Sequence, residues 1–263
     1  MEKYIGTISL APAIYYLHLT MQGIKKIIPS SLKLFYKVSK RRCNDIFNGN
    51  YKRFALRYSN EDEFYPVIKI EQPIKATGTT LNKINNLSIA INKLNNIIIQ
   101  PGEIFSFWKL VGNPSAKNGY KKSRSIINGE VDAAIGGGLC QLSGLIYFLA
   151  LQGGLKITER HAHSIDIYTE EERFTPLGTD ATVAFGYKDL RFINQYHFPV
   201  VLIFHLTNDS LTGNLLSKEK IAPCCIAFEY RKFDGYTEVD TIAENNEDHF
   251  IINSGRYKTL PLW

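Results

Sequence analysis

One cysteine stands where its own chemistry can be altered. Cys140 follows Gly136-Gly137-Gly138-Leu139 and opens an apolar run, 139–151, in which Leu142, Leu145, Ile146 and Leu149 recur at helical spacing. The first turn of a helix has unpaired N–H groups and the positive end of the dipole, both of which favour an anion. A thiol placed there ionises more easily, and the glycines let backbone or substrate approach closely. The same loop could offer N–H donors to an oxyanion. The plainer alternative is a small buried hydrophobe beside a flexible loop.

Two further segments could complete such a site. Arg160-His161-Ala162-His163-Ser164 lies between strand-like runs, and in an extended chain His161 and His163 share a face. Either could serve as base to Cys140, or be a hydrogen-bonded surface histidine. Third and fourth ligands at metal spacing are missing, so neither a metal nor a cofactor is expected. Asp180, within Gly178-Thr179-Asp180-Ala181-Thr182, opens the next strand. It could orient an imidazole or bond its own backbone in a turn. Cysteine at a helix start, then histidine, then acid on successive strands is the layout of papain-like and transglutaminase-like folds, an analogy at fold level.

The elements that must position these residues are readable by period. Residues 65–72 alternate as a strand. Leu81, Ile84, Leu87, Ile91, Leu94 and Ile98 step by three and four, which predicts an amphipathic helix capped by Thr79 or Thr80 and ended before Pro101. A strand is expected over 103–108, an exposed polar excursion over 112–130, and a helix stop at Gly153-Gly154. Short alternating runs follow at 155–159, 164–168, 181–187, 190–193, 199–206, 211–216, 224–230 and 236–242. The expected fold is α+β, a mainly antiparallel sheet with a helix carrying the Gly-Gly-Gly-Cys segment and a helical N-terminal extension. The expected division is 1–64 for the extension, 65–218 for the main domain and 219–263 for C-terminal strands packed on that domain.

Charge separates the extension from the rest. The 263 residues carry 31 Lys and Arg against 25 Asp and Glu, a net +6. Residues 1–60 hold eleven of those cations and only Glu2 and Asp45 as acids, so they are +9 and the remainder is −3. The basic balance is therefore no whole-protein nucleic-acid signature, and no reader motif is present. Residues 1–60 could instead touch an anionic membrane surface. Helices with interleaved charge are expected over 24–58, with Ser30 and Ser31 capping a restart after Pro29. Residues 4–24 are apolar and free of Asp, Glu, Lys and Arg, but Pro12, His18 and Gln22 dilute the run. They read as a core-packing helix rather than an anchor or a signal peptide. Cys43, Cys140, Cys224 and Cys225 form no CxxC pair and no disulfide framework, which favours a reducing, cytoplasmic compartment, with membrane association as the alternative.

Taken in order, Pro101-Gly102-Glu103-Ile104-Phe105-Ser106-Phe107-Trp108, Gly119-Tyr120, Gly136-Gly137-Gly138-Leu139-Cys140-Gln141-Leu142-Ser143, Glu159-Arg160 with His163, and Gly178-Thr179-Asp180-Ala181-Thr182 resemble the VanW family over roughly residues 65–218. The family is named for an accessory protein of some vancomycin-resistance clusters. Its setting is glycopeptide resistance and the Gram-positive cell envelope, without a settled reaction. The resemblance implies Cys140, His163 and Asp180 as catalytic positions and Gly136, Gly137, Gly138, Gln141 and Arg160 as substrate-binding ones. His161 matches no fixed family position. The implied function is a cysteine-dependent hydrolase or acyltransferase acting on a peptide or small-molecule amide, and the alternative is a non-catalytic module that binds an anion or a cell-wall fragment.

Overall fold

The structure is a computed structural model that describes residues 28–59, 63–127, 130–166, 173–244 and 249–259. The expectation for residues 4–24 lies outside the described residues. The fold is α+β, with mostly antiparallel sheets and four α-helices among the described residues. The helices are α1 (Ser30–Phe47), α2 (Thr80–Leu94), α3 (Phe107–Val111) and α4 (Leu139–Gln152). A five-stranded antiparallel sheet runs in the order β1 (Arg57–Tyr58), β3 (Ile97–Ile99), β10 (Val200–Leu206), β11 (Ser210–Ser217), β2 (Tyr65–Pro73). A second sheet orders β12 (Cys225–Phe233), β13 (Tyr236–Glu244), β14 (His249–Thr259) and β8 (Ile165–Asp166), the last pair parallel. A third joins β4 (Ile104–Ser106), β9 (Arg191–Ile193) and β7 (Lys156–Glu159), and β5 (Lys122–Ile127) pairs with β6 (Glu130–Ile135) as a hairpin.

Helix α4 is the hub. Leu142, Leu145, Ile146 and Leu149 are wholly buried, and Tyr147 and Leu151 on its other sides are buried as well. A helix apolar all round belongs inside, and each such side chain stabilises the fold by about 1.5–3 kcal/mol through burial. It packs against β2 and β11 of the large sheet and touches β7, β12 and α2. The segment that carries Cys140 is therefore fixed to three parts of the fold at once.

Several local expectations are corrected. Helix α2 ends at Leu94, and Ile98 belongs to β3; Asn96 takes a φ of 63°, which breaks the helix and starts the strand. Thr79 occupies the N-cap of α2 but accepts no capping bond there. Pro29, not a serine side chain, sits at the N-cap of α1. Phe107 and Trp108 turn into α3 because the Ser106 side chain accepts the Lys109 N–H and caps a helix. In the expected excursion over 112–130, residues 112–121 are loop with a short 3-10 turn (Ala116–Asn118), while Lys122–Ile127 and Glu130 belong to the β5–β6 hairpin; within 181–187 only an isolated bridge forms, between Ala184 and Lys188, so Asp180 opens no strand. The longest strand among the described residues, β14, lies in the region expected to hold C-terminal strands, but beyond the last alternating run, which ends at 242.

The hairpin reaches the Gly-Gly-Gly segment through one close approach. A Cβ at Gly137 would lie 2.1 Å from the Ser123 carbonyl oxygen, and Asn86 Nδ2 donates to the Gly137 carbonyl at 3.0 Å. Gly137→Ala should therefore push the hairpin off α2 and destabilise the protein by about 3 kcal/mol. Urea unfolding measures this, and an unchanged midpoint would contradict the packing described.

Candidate functional site

Gly138 makes the turn into α4 with a φ of 97°, a left-handed conformation that suits glycine, and Cys140 follows in the first turn. In that turn the Cys140 N–H has no intrahelical acceptor. Ser143, one turn on, donates to the Ala181 carbonyl at 2.5 Å. This ties the helix to the segment carrying Asp180. The Thr182 N–H donates to the His161 carbonyl at 2.7 Å, which lays the histidine segment alongside the same stretch. Three pieces of chain far apart in sequence thus converge by backbone and hydroxyl bonds before any ionisable group is considered.

At the convergence His163 lies beside the Cys140 thiol, near enough for each to shift the other's ionisation, while the thiol itself is directed at the Val183 carbonyl at 3.8 Å. Its Nδ1 lies 2.8 Å from Asp180 Oδ2, and its backbone N–H donates to the same oxygen at 2.6 Å. An ionised carboxylate only accepts, so Nδ1 carries the proton and Nε2 is left for the sulfur. The other carboxylate oxygen, Oδ1, accepts from Tyr257 Oη at 2.5 Å and from Arg160 Nη2 at 3.0 Å. Arg160 also donates through Nε to the Asp180 carbonyl (2.8 Å) and through Nη2 to the Gly178 carbonyl (3.1 Å) and Tyr257 Oη (2.8 Å). Tyr147 lies beneath it, with the guanidinium 5.2 Å from the ring centre.

These contacts set the protonation states. Burial alone would raise the Asp180 carboxyl, but the Arg160 charge and the His163 hydrogen bond outweigh it and hold the group well below the usual carboxylate range. Burial would lower the His163 imidazole, but hydrogen bonds to Asp180 and Cys140 push it up to about 10. Burial would likewise raise the Cys140 thiol, yet the neighbouring His163 imidazole outweighs it and brings the thiol below its ordinary value. These shifts move both groups toward a thiolate–imidazolium pair.

The pair opens into a cleft of about 560 Å³, whose wall includes Cys140, His163, Asp180, Gly136, Gly138, Gln141 and Trp108. Gln141 donates its side-chain amide to the Pro73 carbonyl at 3.0 Å, and Trp108 donates its indole N–H to the Lys188 carbonyl at 2.7 Å. Gly137 faces the hairpin rather than the cleft. Arg160, expected to touch substrate, is turned inward and holds Asp180 from below. His161 bonds Glu159 at 3.0 Å, away from the thiol. Tyr257 escaped the sequence reading because its strand did. Among the described residues no cluster of three or more His, Cys, Asp or Glu is placed to hold a metal.

A helix-borne cysteine beside a histidine and an aspartate that both sit on irregular chain, not on the expected strands, defines an α+β protein with a thiol–imidazole–carboxylate constellation. Residues 82–216, about half the chain, match the family model for VanW like protein, and the chain belongs to the VanW family. It is 33% identical over 79% of its length to the uncharacterized protein YoaR of Bacillus subtilis, and 32% identical over 53% of its length to the vancomycin B-type resistance protein VanW of Enterococcus faecalis. The alignments take in 61% and 50% of those proteins, so the chain spans only part of their length. No solved structure matches it.

Iodoacetamide at pH 7 should alkylate Cys140 in the folded protein about tenfold faster than in the urea-unfolded chain, where only a few per cent of the thiol is ionised. His163→Gln should remove that advantage. Peptide mass mapping gives the rates, and equal folded and unfolded rates in the wild type would contradict the ion pair.

Proposed function

We propose that this protein is a cysteine-dependent enzyme that cleaves or transfers an acyl group held as an amide. The observation that carries the reading is the gathering of Cys140, His163 and Asp180 in the wall of one open cleft, with Asp180 bonded to the imidazole. In the reaction the Cys140 sulfur attacks the acyl carbon, a C–S bond forms and the carbonyl electron pair moves onto oxygen. The Cys140 N–H, which the helix leaves without an acceptor, then donates to that oxyanion. Collapse breaks the C–N bond while imidazolium His163 gives its proton to the departing amine. His163, now neutral, takes a proton from the second nucleophile as it attacks the thioester, and the thiolate leaves. Water as that nucleophile makes the protein a hydrolase, and an amine makes it an acyltransferase.

Asp180 keeps the imidazole in the required tautomer and balances its charge. Arg160 and Tyr257 are positioning residues that act through Asp180. The relative named for vancomycin B-type resistance directs the choice of substrate to peptides of the cell envelope.

The test is intact-mass spectrometry after acid quench, with the protein incubated with activated peptide esters and with cell-wall peptides. An acyl mass on Cys140, absent in Cys140→Ala, is expected. Release of amine should fall by about 10⁴-fold in the same variant, as for loss of a catalytic nucleophile. Peptide binding that is undiminished in Cys140→Ala, with no adduct and no product in the wild type, would overturn the proposal in favour of a binding module.

A further inference from the structure

We infer that the cleft recognises a substrate bearing a carboxylate, and that Lys83 and Arg124 receive it; this rests on the thiol reading of the same cleft. Both side chains lie in the cleft wall with Cys140. Lys83 projects from α2 across the start of α4, its Cγ only 2.6 Å from where a Cβ of Gly138 would stand. The acids of the wall are already engaged. Asp180 holds Arg160, His163 and Tyr257, and Asp166 holds Arg173 at 2.7 Å. Among the described residues no ion pair joins a carboxylate to Lys83 or Arg124.

Two like charges in a partly desolvated wall repel each other, and an anion between them relieves the repulsion. The cost is visible in Lys83, which burial and the charge of Arg124 lower to about 8. A guanidinium fork beside a single ammonium suits a carboxylate, the fork taking two oxygens and the ammonium adding a point charge.

The test compares iodoacetate with iodoacetamide at pH 7. In both, the Cys140 thiolate displaces iodide from a CH₂ carbon, and the reagents differ by carboxylate against amide. Relative to the unfolded chain, the folded protein should favour iodoacetate about tenfold. Lys83→Gln and Arg124→Gln should each lower the iodoacetate rate about threefold or more while leaving the iodoacetamide rate within about twofold. Arg124 is exposed on the hairpin, so its variant keeps the test valid if Lys83→Gln fails to fold. A preference for iodoacetate that both variants retain, or no preference in the wild type, overturns the carboxylate subsite. Slow reaction of folded Cys140 with iodoacetamide instead defeats the thiol reading, and the subsite falls with it.

A separate observation concerns helix α1. On α1, Leu34 and Val38 pack at Gly186, Arg41 pairs with Glu159, and Asp45 grips Arg191 at 2.6 Å and 3.0 Å. These residues form one docked face. Leu32, Phe35, Tyr36, Ile46 and Phe47 fall on the other face and are 55%, 69%, 60%, 53% and 88% exposed. Lys33 and Lys40 border this stripe on one side and Arg42 on the other, while Asp45, the sole acid of the helix, is on the docked face. We further propose that α1 lies in the surface of an anionic lipid bilayer, its apolar stripe among the acyl chains and its cations at the headgroups. The absence of acids from the stripe's borders favours lipid over a second copy of the chain.

Sedimentation of the full chain with phosphatidylcholine vesicles, with and without phosphatidylglycerol, tests this. Binding should require phosphatidylglycerol and fall about tenfold in the double variant Phe35→Glu, Phe47→Glu. Binding that the double variant leaves intact overturns the role of α1. Self-association that the variant abolishes, without vesicle binding in the wild type, assigns the stripe to a second copy and overturns the proposal too.

Discussion

The Asp180 carboxylate is the point on which the site depends. It accepts from four donors on two separate segments: the backbone and ring of His163, the guanidinium of Arg160 and the hydroxyl of Tyr257, while the Asp180 backbone carbonyl receives Arg160 Nε. A carboxylate so buried would protonate if left alone. Because it is matched, it stays charged, and its charge is then passed to the imidazole as a raised affinity for protons and to the thiol as an easier ionisation. Removing one partner of such a cluster leaves the others buried and unmatched, so its members act as a unit.

The surrounding fold supplies what this cluster needs. Helix α4, buried on nearly every side, gives Cys140 a fixed position. Ser143 and the Thr182–His161 bond bring the two other segments to the helix. Tyr257 arrives from β14, whose end pairs in parallel with β8 just beyond His163. The C-terminal strands are therefore part of the support of the site, although they follow the stretch matched by the family model. A second ionic network performs a comparable task around Asp189. Asp189, wholly within the fold, accepts from Ser106 at 2.6 Å and from Arg191 at 2.9 Å, and Arg191 in turn holds Asp45 of α1.

The sequence made some of this legible, for identifiable reasons. Helix α4 carries a strong period, glycines at both ends and a cysteine in its first turn, all local signals. The pairing of His163 with Asp180 followed from chain order and from the family resemblance, and the geometry places the two side by side. Arg160 was recognised as a site residue but in a different role, since nothing local distinguishes a guanidinium facing substrate from one buried under a carboxylate. Tyr257 contacts Asp180 across 77 residues, a distance no periodicity reports. The hairpin was read as a loop because its residues are polar and its partner surface, Gly137 and Asn86, lies elsewhere in the chain. Ile98 kept the helical step of α2 and was misplaced, because the left-handed Asn96 is visible only in the backbone.

The central claim is that Cys140 and His163 share a charge-separated state held by Asp180. The most direct measurement is the ultraviolet absorbance of the thiolate, taken as the difference between wild type and Cys140→Ser across pH. The account predicts a thiolate signal that develops below the pH at which an ordinary cysteine ionises and that is already present at neutral pH. A single transition at the ordinary cysteine value, about 8.5, with no thiolate signal at neutral pH, would contradict it.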